Sequence, residues 1–404
     1  MKIDDKTSHN SPSLRFPEFT GEWKESTIGK EFDLYSGNTP SRLNKEHFKG
    51  KVNWISSGEL KNHYIYSSKE QISEDAAKNL KLLPKGTFVI AIYGLEAEGV
   101  RGTGSITQEP STISQACMAF IPQGDIENEF LYSWYKKHGE VIGVRYAQGT
   151  KQQNLSYDIL EKFKIAYPSI KEQKKLNKFI ALLDERIAVQ SRLIDRLQSL
   201  IKGIMVKLQQ QGLSKGTWKR VPLSSILKER TELNEGLLPV YSVSVSQGVV
   251  NQMEYLGRSF AAKDTSKYHV AHFGDLIYTK SPTGSFPYGI VKQNSNRYKV
   301  AVSPLYGVYT PANYFTGVFL QEYFKSEVNT FNYLHSLIQK GAKNTINITN
   351  QRFLDNYILI PTDSNDLQQI SNLLLRLNAK KDLMQNMLQQ YQEQKQYLLR
   401  QMFI

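Results

Sequence analysis

Two stretches of this chain place apolar side chains at alternating steps of four and three. In the first, Leu176, Ile180, Leu183, Ile187, Gln190, Ile194, Leu197, Ile201, Ile204 and Leu208 keep the rhythm without a break. In the second, Ile370, Leu374, Leu377, Lys381, Met384, Leu388, Tyr391, Lys395, Leu398 and Met402 repeat it at a constant offset of 194 residues. A proline-free repeat of this period predicts a helix whose apolar seam is buried against a partner helix. Gln190, Lys381 and Lys395 interrupt the two seams. Such polar positions either fix the pairing register or lie at a rim where lysine stems run along apolar surface, and both readings are open from the pattern alone.

The helices are one part of a duplication that runs through the chain. Gly21-x-Trp23-Lys24 returns as Gly216-x-Trp218-Lys219, 195 residues on. Gly149-Thr150-Lys151 followed by Asn154-Leu155-Ser156 is echoed by Gly341-Ala342-Lys343 followed by Asn347-Ile348-Thr349. Each loop leads into an alternating apolar stretch that stops at Pro168 or Pro361, and each proline precedes a helix. Only Gln211–Gly216, with two glycines as helix stoppers, separates the first helix from the second copy. Because the ends of a compact domain usually lie close together, Pro361 is expected beside Gly216, which makes the two helices antiparallel. A helix over about 172–210 is roughly 58 Å long at ~1.5 Å per residue. A globular half near the start of each helix is then expected at either end of a rod, related by a pseudo-twofold axis.

Between the helices the pattern changes to short strand-like runs punctuated by Gly, Pro, Asn and Ser. Phe88–Tyr93 and Leu276–Tyr278 follow the turns at Gly86 and Gly274, and helical stretches are expected over Phe130–His138 and Phe319–Val328. The reading is α+β: two mixed domains over 1–170 and 213–363, separated by helical segments over 171–212 and 364–404.

Charge adds a partner to this architecture. Fifty-one Lys and Arg against 38 Asp and Glu give a net charge of +13 and favour an acidic partner such as nucleic acid. The sequence has no run of about 18 apolar residues and no signal-peptide core in Met1–Thr20, so a cytoplasmic protein without a membrane span is expected. The single cysteine, Cys117, permits no internal disulfide and reads as a small buried hydrophobe.

The order of variable mixed domain, heptad helix, second mixed domain and second heptad helix resembles the specificity subunit of type I restriction-modification systems. Particular stretches carry the resemblance: Leu14-Arg15-Phe16-Pro17-Glu18-Phe19 with Trp23, Gly37-Asn38-Thr39-Pro40-Ser41, and Trp54-Ile55-Ser56-Ser57-Gly58-Glu59-Leu60. In the second half Tyr241-Ser242-Val243-Ser244, Gly274-Asp275-Leu276 and Ser303-Pro304-Leu305-Tyr306 look similar to another branch of such target-recognition domains. The resemblance implies that each domain reads one half of a bipartite, asymmetric double-stranded DNA site. It also implies that the helices dock two DNA adenine methyltransferase subunits, and that restriction subunits which hydrolyse ATP join the complex. S-adenosylmethionine, ATP and magnesium are then expected on those partners, with no cofactor and no catalytic residue in this chain. The two halves match each other only at loops and scaffold points, so they are expected to read different bases.

Base edges are read by short polar or forked side chains, and phosphates by cations and hydroxyls. Thr150, Lys151, Gln152, Gln153 and Asn154 have that chemistry, as do Lys343, Asn344, Thr345 and Asn347 in the echoing loop. The alternative for both loops is a capping turn that positions the exit strand. Arg101, Thr103 and Ser105 follow the strand after Gly86, and Lys280, Ser281, Thr283 and Ser285 follow the strand after Gly274. Arg42, after the Thr39-Pro40 turn, is a phosphate candidate or part of a solvated loop.

Rival readings lack motifs. The chain contains no Pro-Pro, which an adenine methyltransferase motif requires, and no Gly-x-x-x-x-Gly-Lys-Ser/Thr loop for ATP. Glu18 with Glu22-Trp23-Lys24 is a poor nuclease set, since Gly216-Thr217-Trp218-Lys219 lacks the acid. His269 and His272 have no obvious third ligand, and no metal site is assigned. A self-contained nuclease and a helical scaffold that never meets DNA remain the competing functions.

Overall fold

The heptad segments fold as two long helices, Ile170–Ser214 and Ser364–Met402. The computed structural model describes residues 10–97, 99–149, 153–236, 238–258, 261–340 and 346–404. Ser169 opens the first helix, its hydroxyl accepting from the Glu172 amide at 3.5 Å. Asp363 opens the second, its carboxylate accepting from the Asn365 amide at 2.9 Å. The first helix runs past the expected end because Gly212 does not stop it. An added Cβ there would lie 2.0 Å from the Trp218 ring, so the glycine lets the indole pack on the helix. The stop falls at Gly216, with φ at +66°.

The chain divides into two compact units, one comprising Met1–Gln190 with Met387–Ile404 and the other Ser191–Asn386. Each holds one head and a stretch of both helices. In the first unit Leu398, Leu399, Met402 and Phe403 share a core with Leu176 and Ile180. The Arg186 guanidinium donates to the Tyr391 hydroxyl at 2.8 Å, and Lys395 meets Asp184. Numbers rise along one helix as they fall along the other, so the pairing is antiparallel. In the second unit Ile201 and Met205 share a core with Leu367 and Leu374. Every apolar seam position named from the pattern is buried or partly buried.

The heads repeat one topology. Lys24–Thr27 pairs with Lys164–Tyr167 in the first and Trp218–Pro222 with Tyr357–Pro361 in the second, tying together the two ends of each head. Trp218 lies opposite Pro361, as the short linker requires. The repeated tryptophans do the same work in both copies: Trp23 meets Phe130 edge-on at 5.7 Å, and Trp218 meets Phe319 at 5.6 Å. Phe130 lies on the helix Asn128–Tyr146, which contains the expected one, and Phe319 on Tyr314–Phe324. The stretch expected as one helix over Phe319–Val328 is broken at Lys325 and Ser326, whose hydroxyl caps a second helix, Glu327–His335.

The main sheet of the first head runs Phe32–Ser36, Cys117–Pro122, Phe88–Ala91, Gly104–Thr107, Tyr64–Ile65. That of the second runs Leu227–Glu229, Gly307–Pro311, Leu276–Tyr278, Val291–Gln293. The first four places correspond, all with antiparallel neighbours. A second sheet in each head is built on one parallel pair, Val52–Ile55 with Ser111–Ile113 and Val240–Ser244 with Val300–Val302. Phe88–Ala91 and Leu276–Tyr278 are wholly buried, so each central strand reads as a continuous apolar run. No described helix is long and apolar enough to cross a membrane.

Candidate nucleic-acid interface

Antiparallel pairing sends alternate connections out of the same end of a sheet. In the first head the segments after Ser36 and Ala91 and the turn before Cys117 therefore emerge together. Backbone bonds join them: Asn38 donates to the Ile113 carbonyl at 3.1 Å and Ile92 to the Ala116 carbonyl at 2.9 Å. The Thr39 hydroxyl donates to the exposed Gln115 side chain. The repeated loop joins the same end, with Leu155 donating to the Ile92 carbonyl at 2.8 Å and Asn154 bridging to Tyr93 and Gln148.

The second head does the same with different residues. The segments after Glu229 and Tyr278 and before Gly307 leave one end of the corresponding sheet. Asn350 Nδ2 donates to Glu229 Oε1 at 2.5 Å, and the Tyr309 hydroxyl donates to the Asn350 carbonyl at 3.3 Å. Those bonds bring the segment after the echoing loop to this end. The described residues that flank the loops singled out from sequence thus lie at equivalent sheet ends in both heads.

Within the first head Arg101 and Gln153 meet. The guanidinium donates to Gln153 Oε1 at 2.8 Å and lies 3.4 Å from Glu140, while the Gln153 amide donates to Glu96 at 2.8 Å. Asn154 Oδ1 and Arg101 Nε are buried without a hydrogen-bond partner among the described residues. Thr103 is spent on its own turn, donating to the Val100 carbonyl at 2.6 Å. Ser105 leaves the candidate set. It sits in the strand Gly104–Thr107, fully buried, with its hydroxyl on the Asn62 carbonyl at 2.6 Å. The strand opens on Gly104, where the Phe88 ring occupies the space a side chain would take.

Arg42 lies on a different loop, the one after Ser36, and its fork is occupied. Nη1 and Nη2 bond the two Glu70 oxygens at 2.9 and 2.8 Å, which raises the arginine pKa and lowers that of the glutamate. It is a brace more than a free phosphate ligand.

In the second head Lys280 is half-buried with φ at +58°, and burial holds its pKa below the ordinary lysine value. Ser281 is exposed, Thr283 donates to the Ser281 carbonyl at 3.1 Å, and Ser285 donates to Glu327 at 2.6 Å. The backbone of Asn347 pairs with Gln339. Thr150, Lys151, Gln152, Lys343, Asn344 and Thr345 lie outside the described residues. His269 and His272 bond different partners, the Tyr306 carbonyl and Glu232.

Gln115, Tyr93 and Asn350 belong to these ends and were not singled out from the sequence. Their positions follow from strand pairing, which leaves no local signal. Charge is divided unevenly as well. Residues 14–168 carry 19 basic and 19 acidic side chains, whereas 217–361 carry 15 and 9.

Comparison with known proteins agrees with this arrangement. The family described as "Type I restriction modification DNA specificity domain" matches residues 20–199. The MjaIX specificity subunit of a type I restriction enzyme of Methanocaldococcus jannaschii is 30% identical over 184 residues, covering 41% of this chain and 41% of that protein. The MjaVIII specificity subunit of the same organism is 26% identical over 247 residues, covering 58% and 55%. The matches thus span about two fifths to just over half of the curated relatives' length. The S subunit of a type I restriction-modification system from M. genitalium shares the fold over 98% of this chain and 99% of its own, with a TM-score of 0.61 and 14% identity. A chain from a study of assembly and conformational transition of the type I system matches with a TM-score of 0.52 and 14% identity, over 93% and 96%.

Proposed function

We propose that this chain is the sequence-reading subunit of a type I restriction-modification complex, on the match of residues 20–199 to the family described as "Type I restriction modification DNA specificity domain". Each head reads one part of a bipartite, asymmetric duplex site in cytoplasmic DNA, and the chain has no catalytic centre of its own. The long helices dock two DNA adenine methyltransferase subunits, and restriction subunits complete the complex. S-adenosylmethionine, ATP and magnesium act on those partners.

The observation that carries this reading is the emergence of connections with polar side chains from equivalent sheet ends in both heads, after Ala91 in the first and after Tyr278 in the second. Two unlike loop sets on one repeated scaffold suit the reading of two unlike base sequences. Arg101, Thr103, Gln153 and Asn154 serve the first head, and Lys280, Ser281, Thr283 and Ser285 the second. Thr150, Lys151, Gln152, Lys343, Asn344, Thr345 and Asn347 are proposed for the same surfaces on their sequence alone.

The deciding test is methylome sequencing of a host carrying the chain with its cognate methyltransferase, before and after residues 217–361 are exchanged for those of a relative. One half of the methylated site is expected to change. A change in both halves, or in neither, would count against the reading.

Duplex binding by the full chain is also expected to be steeply salt-dependent. With six or more phosphate contacts, affinity falls about 10³-fold or more between ~50 and ~200 mM salt. A flat response in a filter-binding titration would favour a helical scaffold instead. The excess charge on residues 217–361 favours a larger share of these contacts on the second head.

A further inference from the structure

Leu43 is 98% exposed, an extreme value for a leucine in a folded head. Burying a leucine side chain contributes strongly to stability, and here all of that contribution is forgone. A floppy loop could fold the side chain back. This loop is fastened on both sides of it.

On one side the Arg42 guanidinium is clamped between the Glu70 carboxylate and the faces of Phe48 and Trp54, 4.5 and 5.5 Å from the ring centroids. On the other, Asn44 caps the short turn Lys45–Phe48, its side chain accepting from the Glu46 amide at 3.1 Å. The Ser73 amide donates to the His47 carbonyl at 2.9 Å and pins that turn to the head. Both neighbours of Leu43 are held while Leu43 itself projects into solvent.

The surroundings indicate the occupant. Lys49 pairs with Glu46 and Arg42 with Glu70, but Lys45 and Lys51 are exposed with no carboxylate partner among the described residues, so the loop carries one apolar tip and two unpaired cations. An apolar protein groove would meet that rim unfavourably; a DNA groove presents phosphates on both flanks. The loop also leaves the sheet at the end where Arg101 and Gln153 meet. Of the groups on base edges in the major groove, one is apolar, the C5 methyl of thymine.

We propose that Leu43 is a specificity-determining residue that packs against a thymine methyl in the half-site read by the first head, with Arg42 and Glu70 as the brace that holds it out. The proposal rests on the reading of the chain as a DNA-recognition subunit.

The test uses the full-length chain and a pool of random-sequence duplexes, with binding sites selected by the wild type and by Leu43→Ala and Leu43→Ser. Both variants keep the fold, since the side chain has no intramolecular contacts to lose, and an unchanged melting temperature checks this. The wild type is expected to select an A·T pair at one position of one half-site. Leu43→Ala loses preference at that position alone. Replacing that thymine by deoxyuridine weakens wild-type binding about fourfold and leaves Leu43→Ala binding unchanged.

Identical preferences at every position for the wild type and Leu43→Ala overturn the proposal, as does a uridine effect of equal size in both. So does a Leu43→Ala chain that selects the same sites but no longer retains a protein partner. Failure of the wild type to select any site overturns the DNA-reading function itself.

Discussion

Deleting residues 398–404 is expected to unfold the first unit while leaving the second intact. Leu398, Leu399, Met402 and Phe403 are buried in the same core as Phe130, Leu176 and Ile180. Phe403 stacks obliquely on Phe130 at 5.2 Å. The Trp134 indole donates to the Ile404 carbonyl at 3.0 Å, Lys137 to the Phe403 carbonyl at 2.8 Å, and the Leu14 amide to the Gln401 carbonyl at 3.0 Å. Removing one large apolar side chain from a core costs about 2–5 kcal/mol. Four together match or exceed the ~5–15 kcal/mol that usually separates folded from unfolded. Hydrogen exchange separates the units: amides of Phe88–Ala91 are expected to lose protection and those of Leu276–Tyr278 to keep it. A synthetic peptide of residues 387–404 added to the truncated chain is expected to restore the lost protection. Full protection in the truncated chain would show that the last turns of the helix only decorate the first core.

How much of this was legible depends on whether a signal is local. The helical seams were, because a period of 3.5 survives in a single strip of sequence, and the repeated tryptophans were, because each copy needs the same indole against the same phenylalanine. Gly212 misled because the reason for it, the Trp218 ring, lies across a fold of the chain. Strand order was beyond reading: Phe88–Ala91 and Leu276–Tyr278 are short and buried on both faces, so they lack the alternation that marks a half-buried strand. Ser105 looked like loop chemistry because a buried serine differs from an exposed one only in its partner, here a carbonyl 43 residues away. Arg42 looked free for the same reason, since Glu70 lies 28 residues on. The net charge of +13 pointed to an acidic partner but concealed that the first head is neutral.

Replacing Asp184 with alanine is expected to destabilise the first unit by roughly 2–3 kcal/mol, and by more on the acid side of neutrality than above it. Lys395, one of the breaks in the heptad pattern, turns out to pair with Asp184, at side-chain exposures of 14% and 25%. His63 lies beside them, stacked between Tyr64 and Tyr132 at 4.0 and 3.9 Å. One ring nitrogen donates to Glu129 at 2.8 Å and the other is 3.4 Å from Asp184, too poorly aligned to count as a hydrogen bond. Burial pushes the Asp184 pKa up, but His63 and Lys395 outweigh it and hold the carboxyl below its ordinary 3.8. Burial likewise pulls His63 down, but the two carboxylates outweigh it and hold the imidazole above 6.5. Removing Asp184 strands Lys395 and leaves His63 with Glu129 alone. Breaking a buried pair costs about 3–5 kcal/mol, and the remaining solvent contact of Asp184 lowers that figure. The two shifts set the pH window. A raised histidine stabilises fully below its unfolded value and less as pH climbs through its folded one, whereas a depressed aspartate stabilises above its unfolded value and less as pH falls. The cluster therefore contributes most at mildly acidic pH. Lys136 opposes it at the alkaline end: burial, then repulsion from Lys395, lowers its pKa to about 8, so its cost to folding is relieved above that pH. Urea midpoints at pH 5.5 and 7.5 are expected to differ more between wild type and Asp184→Ala at the lower pH, and His63→Gln is expected to flatten that dependence. A wild-type advantage of the same size at both pH values would mean that His63 does not sense Asp184, leaving Lys395 alone to hold the helices in register.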